Sequence, residues 1–327
     1  MTSSLHPPKD SSESAEHTIK KTEQRLIVLS ERGGPLSRDS RYATNNFYGE
    51  NHRSRLAFRR ELIDFFLNDG ADVGKDGLAA IVTAGPPGAG KSTAISGLSE
   101  DLSAYRRLDA DQIKECLIEK AVEEGIFDKF LGMGLPDGGS ILPNELSSLV
   151  HKESADLHNI LIQESLYAQV NVIIEGTFSW DGLVDRYIGW LATGDYHELK
   201  LIDVEVDFET ATKQARQRWW DGRIAALSGS GSPLGGRFMA PSAIAEVYPK
   251  GVTSHSRCNT NAVNMFNDQR TLDLFEKVEL RVYDSPKNNP EIYKAIDGKI
   301  VSESPETMTV KNFRDLGEDS GVISVHP

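Results

Sequence analysis

The sequence predicts an α/β fold: a parallel sheet with helices on both faces. Three observations point to it. Short apolar runs that read as buried strands alternate with segments of helical periodicity. A glycine-rich turn with a lysine joins the first run to a helix. Polar residues gather where the runs end, which is where such sheets hold their ligands.

Taken in order, residues 1–17 are rich in Ser, Pro and charge and are expected to be disordered. Residues 18–31 can form a short helix, broken by Gly33-Gly34-Pro35. A stronger helix is expected from about Arg53 to Leu67, where Leu56, Leu62, Ile63, Phe66 and Leu67 follow helical spacing. The first strand is Leu78 to Ala84. The run Tyr105 to Asp111 reads as a strand edge that stops on two acids, Asp109 and Asp111, with a helix following from about Gln112. Gly- and Pro-rich residues 132–145 form a loop, and a helix runs from about Asn144 to Ala168. Residues 171–177 are the next strand, ending on Glu175-Gly176-Thr177. A helix over 183–193, a strand over 200–206 and a helix over 209–227 follow. Ser228 to Pro233 is a loop, 241–248 a short helix and 278–283 a fifth strand. This divides the chain into an N-terminal extension (1–45), a single α/β domain (46–285) and a polar tail (286–327).

With 327 residues, 39% of them hydrophobic, there is enough chain for a full core. The net charge of −13 argues against general affinity for nucleic acid or anionic membranes. No apolar run reaches the ~18 residues of a spanning helix, and no export signal is visible at the N-terminus. The two cysteines read as reduced thiols, so a cytoplasmic setting is expected. Neither cysteine lies in a metal-ligand spacing.

The most specific motif is Gly85-Pro86-Pro87-Gly88-Ala89-Gly90-Lys91-Ser92, followed by Thr93. It is the pattern of a phosphate-binding loop. Glycines let successive amides turn toward a phosphate, Lys91 reaches the β- and γ-phosphates, and the Ser92 hydroxyl ligands Mg²⁺. ATP and Mg²⁺ are therefore the expected cofactors. Phosphoryl transfer further asks for an acceptor-orienting carboxylate and for cations on the transferring group. Asp109 and Asp111 are candidates for the first; one of them can instead cap the next helix. Glu175 ends the strand Val172-Ile173-Ile174, as an acid that orients Mg²⁺ or substrate would. Thr177 can bind substrate or cap a helix. Arg216, Arg218, Arg223 and Arg237 cluster in an otherwise acidic chain, and two of the four are expected to touch phosphate from a lid segment.

Together these pieces resemble the zeta-toxin family of P-loop kinases. The resemblance rests on Ala80 to Thr93, Leu108-Asp109-Ala110-Asp111-Gln112-Ile113-Lys114, Val150 to Ala155, Ile173 to Thr177, Gln217-Arg218-Trp219 and Gly235-Gly236-Arg237-Phe238-Met239-Ala240-Pro241. It covers about Arg53 to Ser285. The family's members are toxins of toxin–antitoxin pairs that move the ATP γ-phosphate to the 3′-hydroxyl of UDP-N-acetylglucosamine. The resemblance implies a P-loop kinase-like fold with an arginine-bearing lid. It implies Asp111 as the base acting on the acceptor hydroxyl, Arg218 and Arg237 as phosphate-neutralising groups, and Glu175 and Thr177 as sugar-nucleotide contacts. Glu153, or failing it Glu164, takes the place of the substrate-binding acid. Ser179 stands where family members often carry an arginine. A sugar-nucleotide substrate and an antitoxin that occludes the ATP site are the implied partners. The alternatives are a P-loop kinase of another small metabolite, nucleotide cofactor or antibiotic, and a regulatory ATPase.

Overall fold

The computed structural model describes residues 10–49, 52–68, 73–74, 78–285 and 287–301. Seven strands form one sheet: β1 (Ala79–Ala84), β2 (Arg106–Asp109), β3 (Val172–Glu175), β4 (Glu198–Val204), β5 (Lys277–Tyr283), β6 (Glu291–Ile296) and β7 (Lys299–Ile300). The helices are α1 (Asp10–Ser30), α2 (Thr44–Tyr48), α3 (Arg53–Asn68), α4 (Lys91–Ser96), α5 (Ala110–Glu123), α6 (Asp128–Leu131), α7 (His151–Tyr167), α8 (Gly182–Thr193), α9 (Phe208–Leu227), α10 (Pro241–Ala245), α11 (Arg257–Asn267) and α12 (Gln269–Leu274). The chain divides into two compact units. A helical unit comprises Met1–Phe66, Asp109–Leu161 and Thr212–Glu246, and a sheet unit comprises Leu67–Leu108, Ile162–Ala211 and Val247–Pro327.

In the sheet unit the strand order is β2-β3-β1-β4-β5-β6-β7. β1 runs parallel to β3 and β4, and β4 parallel to β5. Every residue of β1 and of β3 is buried, as continuous apolar runs in a parallel sheet require. The chain leaves β1 with its partners β3 and β4 on opposite sides, so the loop after β1 lies where the strand order reverses. That is the usual ligand crevice of an open α/β sheet. Helix α11 packs on β1, β4 and β5 through Ala262, Val263, Met265 and Phe266. Its apolar face interrupts a polar sequence, and the sequence reading passed it by.

β5 to β6 and β6 to β7 are antiparallel, so the sheet is mixed rather than wholly parallel. Residues 291–300, expected in the polar tail, therefore belong to the sheet. Tyr293 and Ala295 are their buried positions, too few to stand out as an apolar run. Residues 302–327 lie outside the described residues.

In the helical unit, α1 begins at Asp10, upstream of the short helix expected over 18–31, and residues 10–17 are helical rather than disordered. Residues 1–9 lie outside the described residues. Leu26 and Leu29 bury their side chains, and the turn that follows adds Leu36 and Ala43. The helix expected from about Asn144 begins as a 3₁₀ segment, Pro143–Val150, which continues into α7. That segment packs against α5, which buries Ile113, Leu117, Ile118 and Ala121.

Arg55 of α3 is buried and donates to both oxygens of Glu153 on α7, from Nε (2.9 Å) and Nη2 (2.8 Å). The Arg55 guanidinium also lies over the rings of Tyr48 and Phe58 at 4.5 and 5.1 Å. Taking away one partner of such a pair strands the other charge in the core, at a cost of about 3–5 kcal/mol. Arg55→Ala should therefore lower stability by about that amount in urea titrations. The double variant Arg55→Met/Glu153→Leu should recover most of the loss.

Candidate active site

The phosphate loop is held open by its backbone and closed by its lysine. Gly85 has φ +132°, and a Cβ there would collide with the carbonyl oxygen of Val204. The register explains the contact: Ala84 is paired with Asp203, so the loop leaves β1 alongside the end of β4. The Gly85 N–H donates to the Thr177 carbonyl (3.1 Å), which ties the loop to the segment after β3. Lys91 opens α4 and turns its ammonium back onto the loop's own carbonyls, Gly85 O at 2.9 Å and Pro86 O at 3.0 Å. A polyphosphate entering the loop would take over those bonds. Ser92 and Thr93 follow, exposed in the first turn of α4.

Glu175 ends β3 and is buried, with its carboxylate paired to Arg107 of β2. Thr177 Oγ1 lies 3.0 Å from Ser179 Oγ, the position where the family pattern has arginine. Thr83 Oγ1 accepts from the Gly176 N–H (2.9 Å) and fixes the turn between Glu175 and Thr177.

Two acids that the sequence reading did not single out sit behind the loop. Asp203 of β4 is fully buried; Oδ2 accepts from Asn259 Nδ2 (2.6 Å), while Oδ1 has no hydrogen-bond partner. Glu205 accepts from the Ser256 N–H (2.6 Å) and the Ser256 hydroxyl (2.8 Å). Burial raises both carboxyls above the usual range, and the Asp203 charge raises Glu205 further. The signal was available: Leu201-Ile202-Asp203-Val204-Glu205-Val206 sets two acids into an apolar strand end.

In the helical unit, β2 stops at Asp109 and α5 begins at once. Asp109 is the helix cap, accepting from the Asp111 N–H at 2.8 Å, so the capping role expected for one of the pair falls to it. Asp111 stands in the first turn of the helix, not on the strand. Its side chain is 40% exposed and paired with Lys114 (2.9 Å) and with Arg237. Burial acts to raise the Asp111 carboxyl, but Lys114 and Arg237 outweigh it, with Arg218 adding to the same positive field. Asp111 is held well below the ordinary carboxylate range. Arg237 also binds Glu115 at 3.0 Å, and its Nε is buried without a hydrogen-bond partner.

The four arginines divide cleanly. Arg218 is exposed and makes no ion pair or hydrogen bond among the described residues. Arg216 pairs with Glu16 (2.9 Å) and Glu23 (2.8 Å) of α1. Arg223 is buried between Asp137 and Glu145. Arg218 is thus the one of the four without an ion pair among the described residues, while Arg237, like Arg216, is engaged by two carboxylates. Glu153, by contrast, has both oxygens engaged by Arg55, so contact with substrate would require that pair to open.

A family model described as an AAA domain matches residues 81–226. A search of curated proteins gave no match. Among solved structures, a complex of AvrRxo1-ORF1 with AvrRxo1-ORF2 and ATP is similar at a TM-score of 0.53 and 13% identity, over 84% of this chain and 76% of that one. The same complex with sulphate ions gives a TM-score of 0.50 at 13% identity, over 85% and 76% of the two chains. The PezAT toxin–antitoxin system of Streptococcus pneumoniae gives 0.47 at 12% identity, over 80% and 93%. The chain has a P-loop kinase-like fold. At these identities the likeness is one of fold. The loop after β1 and the acid that ends β3 follow neighbouring parallel strands.

A carboxyl whose pKa rises on folding makes the folded chain hold more protons than the unfolded one, so stability falls as pH rises between the two values. For Glu205 that window runs from about pH 5 to about pH 8. Urea midpoints measured across it should fall for the wild type and fall less for Glu205→Gln.

Proposed function

We propose that this chain is an ATP-dependent kinase of the zeta-toxin type. It transfers the γ-phosphate to the 3′-hydroxyl of UDP-N-acetylglucosamine or a related sugar nucleotide, and acts in the cytoplasm as the toxin of a toxin–antitoxin pair. The observation that carries this reading is the Asp111–Lys114–Arg237 cluster beside the unpaired Arg218. Asp111 is a carboxylate kept ionised among cations in the first turn of α5. A kinase needs one to orient an alcohol, and needs guanidinium groups for the equatorial phosphate oxygens.

The roles follow from the chemistry. The amides of Gly85 to Thr93 and the Lys91 ammonium bind the donor phosphates. No group of three or more His, Cys, Asp or Glu side chains able to hold a metal occurs among the described residues. That suits Mg²⁺ in a kinase, which takes most of its ligands from phosphate and water, so the Ser92 hydroxyl can serve as the protein ligand. Bound there, Mg²⁺ would neutralise charge on the polyphosphate.

Asp111 accepts a hydrogen bond from the acceptor hydroxyl and takes its proton late. Its low pKa makes it a weak base, which a loose phosphoryl-transfer transition state tolerates. Arg218 and Arg237 neutralise the transferring group, and Arg237 must exchange part of its pairing with Asp111 and Glu115 to do so. Glu175 and Thr177 contact the sugar nucleotide, with Arg107 fixing the Glu175 carboxylate. The relatives of like fold were solved as two-protein complexes, one of them with ATP, which supports ATP as the donor and a protein inhibitor as the partner.

The test is incubation of the purified chain with Mg-ATP and a panel of UDP-sugars, read by phosphorus NMR. Phosphate on UDP-N-acetylglucosamine is the expected result. Free phosphate alone would overturn the kinase reading, and phosphate on a different alcohol would replace the acceptor. Lys91→Ala should lose ATP binding in calorimetry. Asp111→Asn should bind ATP about as well as the wild type but transfer about 10²–10⁴-fold more slowly.

A further inference from the structure

Helix α9 carries two arginines in opposite surroundings. Arg218 faces solvent. Arg223, five residues later and about 140° around the helix, has no exposed side-chain surface. All three of its nitrogens donate hydrogen bonds. Nε donates to Asp137 Oδ2 at 2.6 Å and Nη2 to Asp137 Oδ1 at 2.7 Å. Nη1 donates to the Ser140 carbonyl at 3.1 Å and to both Glu145 oxygens at 3.0 Å. The carboxylates are satisfied from other directions too. Trp219 Nε1 and the Leu142 N–H each donate to Glu145 at 2.8 Å, and the Gly139 N–H to Asp137 at 3.2 Å.

This network leads directly to Arg237. Asn144, the neighbour of Glu145, donates its N–H to the Leu234 carbonyl (2.8 Å) and its side-chain amide to the Gly235 carbonyl (2.9 Å). Gly236 then lies against the backbone of α9 so closely that a Cβ would collide with the Trp219 carbonyl oxygen. The next residue is Arg237, and the residue before Trp219 is Arg218. One buried guanidinium thus ties the glycine-rich loop over residues 132–145 to the two backbone segments that carry the phosphate-neutralising arginines.

We propose that Arg223 is a positioning residue: through Asp137, Glu145 and Asn144 it sets where the guanidinium groups of Arg218 and Arg237 stand, and so governs the transfer step without touching substrate. Its effect on rate rests on the phosphoryl-transfer reading above; its effect on the 234–238 segment does not. A buried charge holds its neighbours in place through directional hydrogen bonds, and arginine alone offers donors in a fixed planar fork that grips a carboxylate with two parallel bonds. Lysine would keep the charge that compensates the two carboxylates but could not reproduce the fork.

The experiment compares wild type and Arg223→Lys by steady-state kinetics with Mg-ATP and UDP-N-acetylglucosamine, and by amide hydrogen exchange. The expected result is a kcat lower by about ten- to a hundredfold, with KM for ATP within about twofold. Exchange at residues 234–238 should be at least about tenfold faster. In an Arg237→Ala background, Arg223→Lys should lower kcat by a smaller factor than in the wild type, because one of the two positioned groups is gone. A folded Arg223→Lys chain with wild-type kcat, or an undiminished loss in the Arg237→Ala background, would overturn the proposal. If Arg223→Lys fails to fold, Asp137→Asn, which leaves the Glu145 pair in place, is read by the same criteria. If the wild type phosphorylates no sugar nucleotide, the functional reading falls, and the exchange rates decide the positioning role: unchanged exchange at 234–238 sinks it.

Discussion

A charge removed from water must be answered where it stands, and that constraint orders this protein. Arg55 with Glu153, and Arg223 with Asp137 and Glu145, are buried groups whose partners come from distant stretches of sequence. Each fixes a helix relative to its neighbours within the helical unit more sharply than apolar contacts would, because hydrogen bonds to a planar guanidinium are directional. Apolar packing supplies most of the stability. The ion pairs decide which backbone segments lie side by side.

The sheet unit answers the same constraint differently. Asp203 and Glu205 have neutral hydrogen-bond donors from Asn259 and Ser256 rather than a guanidinium, and burial raises their pKa values. Lys91 is the cation whose charge both acids feel. The phosphate loop therefore stands on two carboxyls that hold their protons more tightly than usual. Asp111, among three cations, holds its proton less tightly.

Much of this was legible in the sequence, for reasons that differ by element. The phosphate loop could be read because its backbone demands glycine at fixed places. β1 and β3 could be read because strands buried on both faces are continuous apolar runs. Asp109 with Asp111, and the four arginines, stood out as clustered charges in an acidic chain, while Asp111, Arg218 and Arg237 were singled out among them by the resemblance to the zeta-toxin family. Other features left no local trace. Nothing in Arg223 distinguishes it from Arg218; only the tertiary placement of Asp137 and Glu145 makes one a buried anchor and the other an open cation. Glu153 was implied as a site acid by the resemblance, and its partner Arg55, 98 residues away, left no local sign of the pair. The strand β6 was hidden because it buries only Tyr293 and Ala295, with Lys294 between them, and its other apolar residues, Ile292 and Ile296, are not buried.

The strand β6 changes where the domain can be said to stop. β6 covers the outer side of β5 along Lys277 to Val282, and β7 lies beyond it. A chain shortened after Ser285 would keep every residue of the phosphate loop and of the arginine cluster. It would also leave the amides and carbonyls on that side of β5 without partners. An uncovered flank of this kind invites a strand from another molecule. Self-association of a trimmed protein would then be a product of the cut and would say nothing about the native quaternary state.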